Sequence, residues 1–230
     1  MRNTFAEEAT KIANEDDRLV LLTGDIGNRL FDKFKEVAPK RFYNCGIAEG
    51  NMMSVAAGLA LSGLRPVVYT ITPFLTTRCF EQIRVDVCYH KAPVIIIGTG
   101  SGLSYASLGP THHSLEDIAI LRTLPEMKVI APSDSNELRL AFREALSLDT
   151  PVYIRIGKKG EPEIHKDLNQ INIGESIILK KGNDVSLICS GTILSEAIEA
   201  GKILEEKGIS VEVVSMHTIK PLDKKYLAKA

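Results

Sequence analysis

Short apolar runs alternate with stretches of helical periodicity along almost the whole chain, and this alternation constrains the fold more than any other feature. In most of the runs apolar residues fill consecutive positions, which is typical of strands buried on both faces. The predicted strands are Leu19–Thr23, Pro66–Ile71, Pro93–Gly98, Met127–Ala131, Val152–Ile156, Val185–Ser190 and Ser210–Ser215. The pattern predicts an α/β fold with a doubly wound, mostly parallel sheet and helices on both faces.

The segments between these runs carry apolar residues at helical spacing. The predicted helices are Thr4–Glu15, Asn28–Val37, Glu49–Leu61, Leu75–His90, Ser114–Thr123, Ser135–Ser147 and Thr192–Lys207. Asp134 is a suitable N-cap for one of them, and Gly208 a suitable stop for another.

The alternation lapses into polar sequence between Gly157 and Gly182, which indicates a linker. We expect a first α/β domain at residues 1–163, a linker at 164–181 and the beginning of a second α/β domain at 182–230. The sequence stops at Ala230 just as a helix starts, so we expect a truncated or naturally shortened second domain.

Charge and composition exclude several classes of protein. Twenty-eight basic residues against 29 acidic ones leave no basic surplus for binding nucleic acid. Apolar stretches such as Ala92–Leu103 are shorter than the roughly 20 residues that cross a bilayer, and the N-terminus lacks an apolar signal region. Four cysteines without a Cys-x-x-Cys pair indicate reduced thiols, no zinc site and a cytoplasmic location.

Glu49 stands at the start of a predicted helix whose first three turns hold no other charge. The helix dipole alone would favour a carboxylate there by about 0.3–1 kcal/mol. However, a helix this rich in Ala, Gly and Met packs on every side, so the acid is expected to be partly desolvated, which favours its protonated form. Such an acid can donate a proton to a ring nitrogen.

Three glycines and the adjacent His112 and His113 follow the strand Pro93–Gly98. Ligand sites in open α/β sheets lie beyond the carboxyl ends of strands. The two histidines cannot both face one way, so one is expected to cap the next helix while the other meets a substrate. The glycine spacing is not that of a dinucleotide-binding loop, because Leu103 stands where the last glycine would be.

Two aromatic residues follow the strand Pro66–Ile71. Phe80 lies within a predicted helix, where a core position is equally consistent. Phe74 lies at the carboxyl end of the strand, where an exposed ring can stack on a flat ligand. Glu49, Phe74 and His112 all occupy comparable places, so we expect them at one edge of the sheet, forming one site.

These residues resemble the pyrimidine-binding domain of the thiamine-diphosphate-dependent transketolase family, which includes deoxyxylulose-phosphate synthase and the beta subunits of 2-oxo acid dehydrogenases. The resemblance rests on Gly46-Ile47-Ala48-Glu49 and on Gly109-Pro110-Thr111-His112, and it covers residues 1 to about 160. Residues 185–222 resemble the opening of the family's C-terminal domain.

The resemblance implies the residues that hold the cofactor. Glu49 would hydrogen-bond the aminopyrimidine of thiamine diphosphate and promote the imino tautomer that removes the thiazolium C2 proton. Phe74 and Phe80 match aromatics that pack against the pyrimidine. Asp25 matches the first βα turn of the family.

The resemblance also implies substrate contacts. His112 matches the histidine that contacts the sugar oxygens and moves protons, with His113 beside it. Arg2, Arg155 and Lys158 fall near positions that hold the substrate phosphate in family members.

Two positions depart from the transketolase pattern. Leu108 replaces an Asp that is associated with reading a donor hydroxyl, and Gly100 replaces a frequent histidine. These two departures leave the identity of the donor sugar undetermined.

The family's magnesium ligands, a Gly-Asp-Gly and a later Asn-Asn, belong to another domain. Gly24-Asp25 and Asn51 imitate that pattern, but Ile26 and Met52 break it, so no metal ligand is predicted in this chain. The resemblance thus implies a partner chain, the N-terminal diphosphate-binding subunit, which would hold Mg²⁺. We expect an α2β2 assembly.

The resemblance implies the C-terminal subunit of a split transketolase, which moves a two-carbon ketol unit between sugar phosphates or modified sugars. One alternative is the beta subunit of a 2-oxo acid dehydrogenase or a deoxyxylulose-phosphate-synthase-like enzyme. Gly109-Pro110-Thr111-His112 favours sugar chemistry, although such synthases share it. Another alternative is a non-catalytic scaffold subunit, against which the intact Glu49 argues.

Overall fold

The apolar runs form the strands of two sheets. A computed structural model describes residues 1–27 and 29–230 of the chain. Its strands are β1 (Leu19–Thr23), β2 (Phe42–Asn44), β3 (Arg65–Ile71), β4 (Ile95–Thr99), β5 (Lys128–Ile130), β6 (Val152–Ile156), β7 (Ile177–Lys180), β8 (Val185–Cys189), β9 (Val211–Ser215) and β10 (Thr218–Lys220).

The helices alternate with the strands. They are α1 (Arg2–Glu15), α2 (Asp32–Val37), α3 (Glu49–Leu61), α4 (Thr72–Leu75), α5 (Phe80–Gln82), α6 (Asp117–Thr123), α7 (Ser135–Ser147), α8 (Leu194–Glu205) and α9 (Lys224–Leu227). A π-helical segment, Ile83–Tyr89, continues α5, and short 3-10 turns occupy Pro39–Arg41, Ala106–Leu108 and Gly191–Ile193. The predicted start of the second helix, Asn28, lies outside the described residues.

The larger sheet has seven strands in the order β10-β5-β6-β4-β3-β1-β2. All neighbouring strands in it are parallel except β10, which pairs antiparallel with β5. The parallel strands therefore direct their carboxyl ends to one edge. The predicted doubly wound, mostly parallel sheet is confirmed.

Helices cover both faces of this sheet. Leu21 of β1 belongs to one apolar core, which also contains Phe5 of α1 and Phe142 of α7. The next residue, Leu22, belongs to a second core, which contains Met52 of α3. Successive side chains of a strand point to opposite faces, so the uninterrupted apolar runs of the sequence serve two cores at once.

The predicted helix Leu75–His90 is wrong as a single element, because the chain turns between α4 and α5. The hydroxyls of Thr76 and Thr77 donate to the carbonyl oxygens of Thr72 and Pro73 in the turn that ends α4. Such side-chain bonds to the local backbone compete with continued helix. The turn matters for the site described below, because it leaves the residues that follow β3 at the edge of the sheet.

The predicted helix Ser114–Thr123 begins only at Asp117. The reason is a backbone pairing: Gly102 and Ser114 exchange N–H donors and carbonyl acceptors at 3.1 and 2.9 Å. This bridge closes the long loop after β4 at its base.

The second sheet has the order β7-β9-β8, with β8 parallel and β7 antiparallel to β9. Strand β7 lies inside the predicted linker 164–181, where no strand was expected. Its residues alternate between half-buried and exposed, so the sheet forms there without a fully buried apolar run. Strand β10 leaves this part of the chain and joins the larger sheet.

Buried polar groups join the two parts of the chain at the N-terminus of α7. The Asp134 carboxylate accepts hydrogen bonds from the backbone N–H groups of Glu137, Ile164 and His165 at 2.8, 2.7 and 2.6 Å. The Ser215 hydroxyl at the end of β9 donates to the Glu137 carboxylate at 2.7 Å. Burial alone would raise the pKa of Asp134, but hydrogen bonds from His165, Glu137 and Ile164 hold it well below its usual range.

We predict that Asp134→Ala lowers the free energy of unfolding by about 3 kcal/mol, because a helix cap and two further backbone donors lose their acceptor. Urea denaturation measures this change, and Asp134→Asn, which keeps an acceptor, should lose less. Because the folded state holds the pKa of Asp134 down, this contribution is present above about pH 4 and is lost as the pH falls below it. Equal losses in both variants would contradict this role.

Candidate functional site

The carboxyl edge of the larger sheet gathers the residues that the sequence singled out. Strand β1 leads into Gly24, β3 into the helix turn that holds Phe74, and β4 into the loop that holds His112. Phe74 and His112 lie with ring centroids 5.1 Å apart, and Glu49 lies against Gly24. Arg78 contacts both Glu49 and Phe74, so the structure brings together the three residues on which the predicted site rested.

Glu49 begins α3, as predicted, and is only 3% exposed. A Cβ atom on Gly24 would lie 3.2 Å from Glu49 Cγ, so the glycine lets the turn after β1 pass close to the acid. Arg78 Nη1 donates to Glu49 Oε2 at 2.9 Å. The carboxylate is thus held in a buried pocket at a helix N-terminus, with one cation beside it.

Phe74 is half-buried and contacts two side chains at the site. Arg78 Cζ lies 4.4 Å from the centroid of its ring, in a cation–π contact. The His112 ring meets Phe74 edge-to-face, at an interplanar angle of 67°. The Phe74 ring therefore contacts both Arg78, which pairs with Glu49, and His112.

His112 is held between two rings, since the Tyr105 ring centroid lies 5.6 Å from it on the same loop. His112 Nδ1 lies 2.9 Å from Thr111 Oγ1. His113 instead directs Nε2 to the carbonyl oxygen of Ala106 at 2.9 Å. The two histidines make different contacts, but the expectation that one of them caps the next helix is wrong, because α6 begins after Glu116 without a side-chain cap and His113 is bonded within its own loop.

Phe80 and Asp25 lie around the site. Phe80 packs against the apolar core beneath α3, the alternative that its helical position allowed. Asp25 adopts a positive φ of 51° and accepts a 3.0 Å hydrogen bond from Asn44 Nδ2. Asn44 Oδ1 in turn accepts the N–H of Gly46, so Asp25 ties the first βα turn to the segment that leads to Glu49.

Arg155 lies at the base of the loop after β4. Its Nε lies 2.9 Å from Asp117 Oδ2, and its Nη2 donates to the Ser114 carbonyl at 2.9 Å. Asp117 is 1% exposed and also accepts the hydroxyl of Tyr153, whose pKa is raised well above its usual range by burial and by that carboxylate. The charge of Arg155 is paired inside the protein, and its guanidinium supports the base of the loop after β4.

Arg2 and Lys158 converge on Tyr105. Lys158 Nζ lies 4.5 Å from the centroid of its ring. Burial raises the pKa of Tyr105, and the nearby charge of Arg2 opposes that rise. Both cations could be picked out in the sequence but not the tyrosine between them, because residues from three distant segments meet there.

Gly100 is required by the same tyrosine. It has a φ of +86°, and a Cβ atom there would lie 2.0 Å from Tyr105 Cε2. The ring of Tyr105 thus fills the space next to a position where the transketolase pattern often has a histidine.

We predict that Arg155→Ala lowers the free energy of unfolding by about 3 kcal/mol, because it leaves the buried Asp117 carboxylate without its cation. Lys158→Ala, at a half-exposed position, should change it by less than about 0.5 kcal/mol. Urea denaturation of both variants distinguishes a supporting residue from a surface one. Similar small effects in the two variants would contradict the supporting role of Arg155.

Two family models match most of the chain. The family model described as the transketolase pyrimidine-binding domain matches residues 1–161, and that of the transketolase C-terminal domain matches residues 174–230. An apulose-4-phosphate transketolase subunit of Phocaeicola vulgatus is 36% identical over 231 residues, covering 100% of this chain and 74% of that relative.

A second relative, the 6-deoxy-6-sulfo-D-fructose transketolase subunit SqwH of a Clostridium species, is 34% identical, covering 100% of this chain and 72% of its own length. A solved split-gene transketolase, described as an inactive β4 tetramer, superposes with a TM-score of 0.91 at 35% identity. The match covers 99% of this chain and 74% of that structure's chain. A transketolase of Pichia stipitis, at 22% identity and a TM-score of 0.83, shares the fold over 95% of this chain and 35% of its own.

Proposed function

The chain belongs to the transketolase family, and we propose that it is the pyrimidine-binding subunit of a split, thiamine-diphosphate-dependent transketolase. It would transfer a two-carbon ketol unit between sugar phosphates or modified sugars. We further propose residues 1–163 as its pyrimidine-binding domain, 164–181 as a connecting segment that carries β7, and 182–230 as part of its C-terminal domain. The observation that carries the proposal is the buried Glu49 carboxylate beside a partly exposed aromatic ring.

The residues at the sheet edge fit an aminopyrimidine. A single guanidinium, that of Arg78, reaches both the Glu49 carboxylate and the face of Phe74. A flat heteroaromatic ring of similar width can therefore stack on Phe74 and hydrogen-bond Glu49 at the same time. A carboxyl group beside an aromatic face suits a neutral ring with a basic nitrogen, and the pyrimidine half of thiamine diphosphate is such a ring.

When bound, thiamine diphosphate supplies a nucleophilic thiazolium carbon for attack on a ketose carbonyl. Glu49 would hold a proton at a ring nitrogen, and burial keeps water away from that contact. Phe74 would fix the plane of the ring, with Phe80 supporting the helix behind it and Asp25 supporting the turn beside Glu49. His112 would hold or move a proton at a substrate oxygen, from its place between Phe74 and Tyr105.

An anionic group of the substrate has a suitable place near Tyr105. Lys158 lies over that ring, and the charge of Arg2 acts on the same hydroxyl. Two cations at Tyr105, the ring beside His112, favour a phosphate or another anionic terminus on the sugar. The two relatives named above carry, in their names, a sugar phosphate and a sulfonated sugar.

The second half of the site would come from a partner. The matched family models are those of the pyrimidine-binding and C-terminal domains, and we propose that Mg²⁺ is held by the diphosphate-binding subunit. Exposed apolar side chains flank the site: Ile47 lies just before α3, and Leu103, Leu108 and Leu115 lie between β4 and α6. We propose that this apolar rim contacts the N-terminal diphosphate-binding subunit, because the site needs that subunit and a rim of this kind favours association.

The assembly would be an α2β2 hetero-oligomer. The relatives named as subunits support a second kind of chain, and the β4 tetramer of the split-gene structure supports association between β subunits. Within the described ranges no helix is long and apolar enough to cross a membrane. The cytoplasmic location stays a prediction.

A deoxyxylulose-phosphate-synthase-like reaction is the second candidate. One such synthase, from Geobacter sulfurreducens, is 37% identical to this chain over 231 residues. Leu108 leaves the donor undetermined between the two candidates, since this exposed apolar residue cannot hydrogen-bond a donor hydroxyl in the way that the usual Asp of transketolases does. Carbon dioxide release from pyruvate with the assembled enzyme would distinguish this candidate from ketol transfer.

We predict that Glu49→Gln in the assembled enzyme slows exchange of the cofactor's C2 proton by at least about 100-fold, because the amide cannot donate the acid's proton. Deuterium exchange followed by NMR measures this rate. His112→Ala is the matched control and should retain exchange while turnover falls by about 100-fold. Exchange that survives Glu49→Gln would remove the catalytic assignment and leave the scaffold alternative.

We also predict that the chain alone does not bind thiamine diphosphate tightly, because the groups that hold the diphosphate and its metal are assigned to the partner. Calorimetry should detect tight binding only after the diphosphate-binding subunit is added. Tight, saturable binding to the isolated chain would contradict the split site.

A further inference from the structure

Arg78 contacts both halves of the proposed pyrimidine site. Its Nη1 donates to Glu49 at 2.9 Å, and its Cζ lies 4.4 Å from the Phe74 centroid. The side chain is 47% exposed, whereas that of Glu49 is 3% exposed. The guanidinium thus enters from the solvent side and ends on a buried acid.

A guanidinium and an aminopyrimidine share the features that these contacts select. Both are planar, and both stack on an aromatic face; the guanidinium donates an N–H to the Glu49 carboxylate, and the pyrimidine would share a proton with the same carboxyl group through a ring nitrogen. They would compete for the same face of Phe74 and for the same carboxylate oxygen. The two groups therefore exclude one another at this place.

We propose that Arg78 is a placeholder for the cofactor's pyrimidine ring: it occupies that ring's position on Phe74 and Glu49, and it swings out to solvent when the ring enters. This inference rests on the proposed function, since it assigns a second residue to the same site. It makes Arg78 a residue that controls access to the site, in addition to the residues that hold the ring.

The surroundings of Arg78 allow this movement. The backbone that follows Arg78 is fixed, because Cys79 is fully buried and its Sγ donates a hydrogen bond to the Phe74 carbonyl oxygen at 3.1 Å. The outer part of the Arg78 side chain is exposed, so rotation about its own bonds is enough to free the site. The buried core need not move.

The placeholder explains how Glu49 can be buried before the cofactor binds. An unpaired buried carboxylate is costly, and the guanidinium offsets that cost. The same ion pair weakens cofactor binding, because the pyrimidine can bind only to those protein molecules in which Arg78 has left Glu49. For a pair with one half-exposed member, the expected reduction in apparent affinity is about fivefold.

Calorimetric titration of the assembled enzyme with thiamine diphosphate and Mg²⁺ tests the proposal. Arg78→Met removes the charge and the donors while keeping a long apolar side chain, and it should tighten binding about fivefold. Arg84→Met is the matched control, because Arg84 is similarly exposed and pairs with Glu81 on the next helical segment. It should leave binding unchanged.

Unchanged or weaker binding by Arg78→Met would overturn the placeholder, and weaker binding would make Arg78 a cofactor contact. Arg78→Lys serves as a second variant, since it keeps the charge without the planar group and should bind more tightly than the wild type. Failure of the proposed function is recognised separately, because the wild-type assembly would then bind no cofactor at all.

A double-mutant cycle in the isolated chain adds a readout that needs no cofactor. Glu49→Gln, Arg78→Met and the double variant should be non-additive in urea denaturation, because either single change breaks the same pair. Additive effects would mean that the pair contributes nothing, which would overturn the proposal.

Discussion

A buried carboxylate at the N-terminus of a helix is the constraint around which the site is organised. Glu49 is almost fully enclosed, and the helix that it begins packs through small and apolar side chains. A carboxylate in such a place needs a hydrogen-bonding or charged partner. Gly24 makes room for it, the helix dipole favours it, and Arg78 pairs with it. These contacts together keep the Glu49 carboxylate buried and still accessible to a ligand at the edge of the sheet.

The rest of the site depends on a loop that is held at its base. The loop after β4 spans the distance from Gly100 to Ser114, and its ends are joined by the backbone bridge between Gly102 and Ser114. Beneath it, the buried pair of Arg155 and Asp117 fixes the Ser114 carbonyl. Because both ends are fixed, the tip can present His112 to Phe74 at a defined angle. Arg155, which the resemblance placed near the substrate phosphate, therefore supports the loop that carries His112.

Several features could be predicted because local sequence determines them. Strands β1 and β6 and helices α3 and α7 have the predicted bounds, since each is a clear apolar run or a capped or apolar helical segment. The meeting of Glu49, Phe74 and His112 followed from the rule that parallel strands end at one edge. Local pattern and topology together were enough for that.

Other features depend on contacts between distant segments, which no local pattern reports. The antiparallel pairing of β10 with β5 joins residues far apart in the chain, and β7 is only half-buried. Arg155 resembled a free cation in the sequence because its partner Asp117 belongs to another element. Arg78 could not be predicted as a site residue, because the turn that aims it at Glu49 interrupts a predicted helix.

The central claim is that this chain binds the pyrimidine half of thiamine diphosphate through Glu49 and Phe74. The most direct test is a crystal structure of the chain assembled with its diphosphate-binding subunit, thiamine diphosphate and Mg²⁺. We predict a ring nitrogen of the pyrimidine within about 2.6–3.2 Å of a Glu49 carboxylate oxygen, with the ring stacked on Phe74. A pyrimidine bound elsewhere, with Glu49 still paired to Arg78, would contradict the claim.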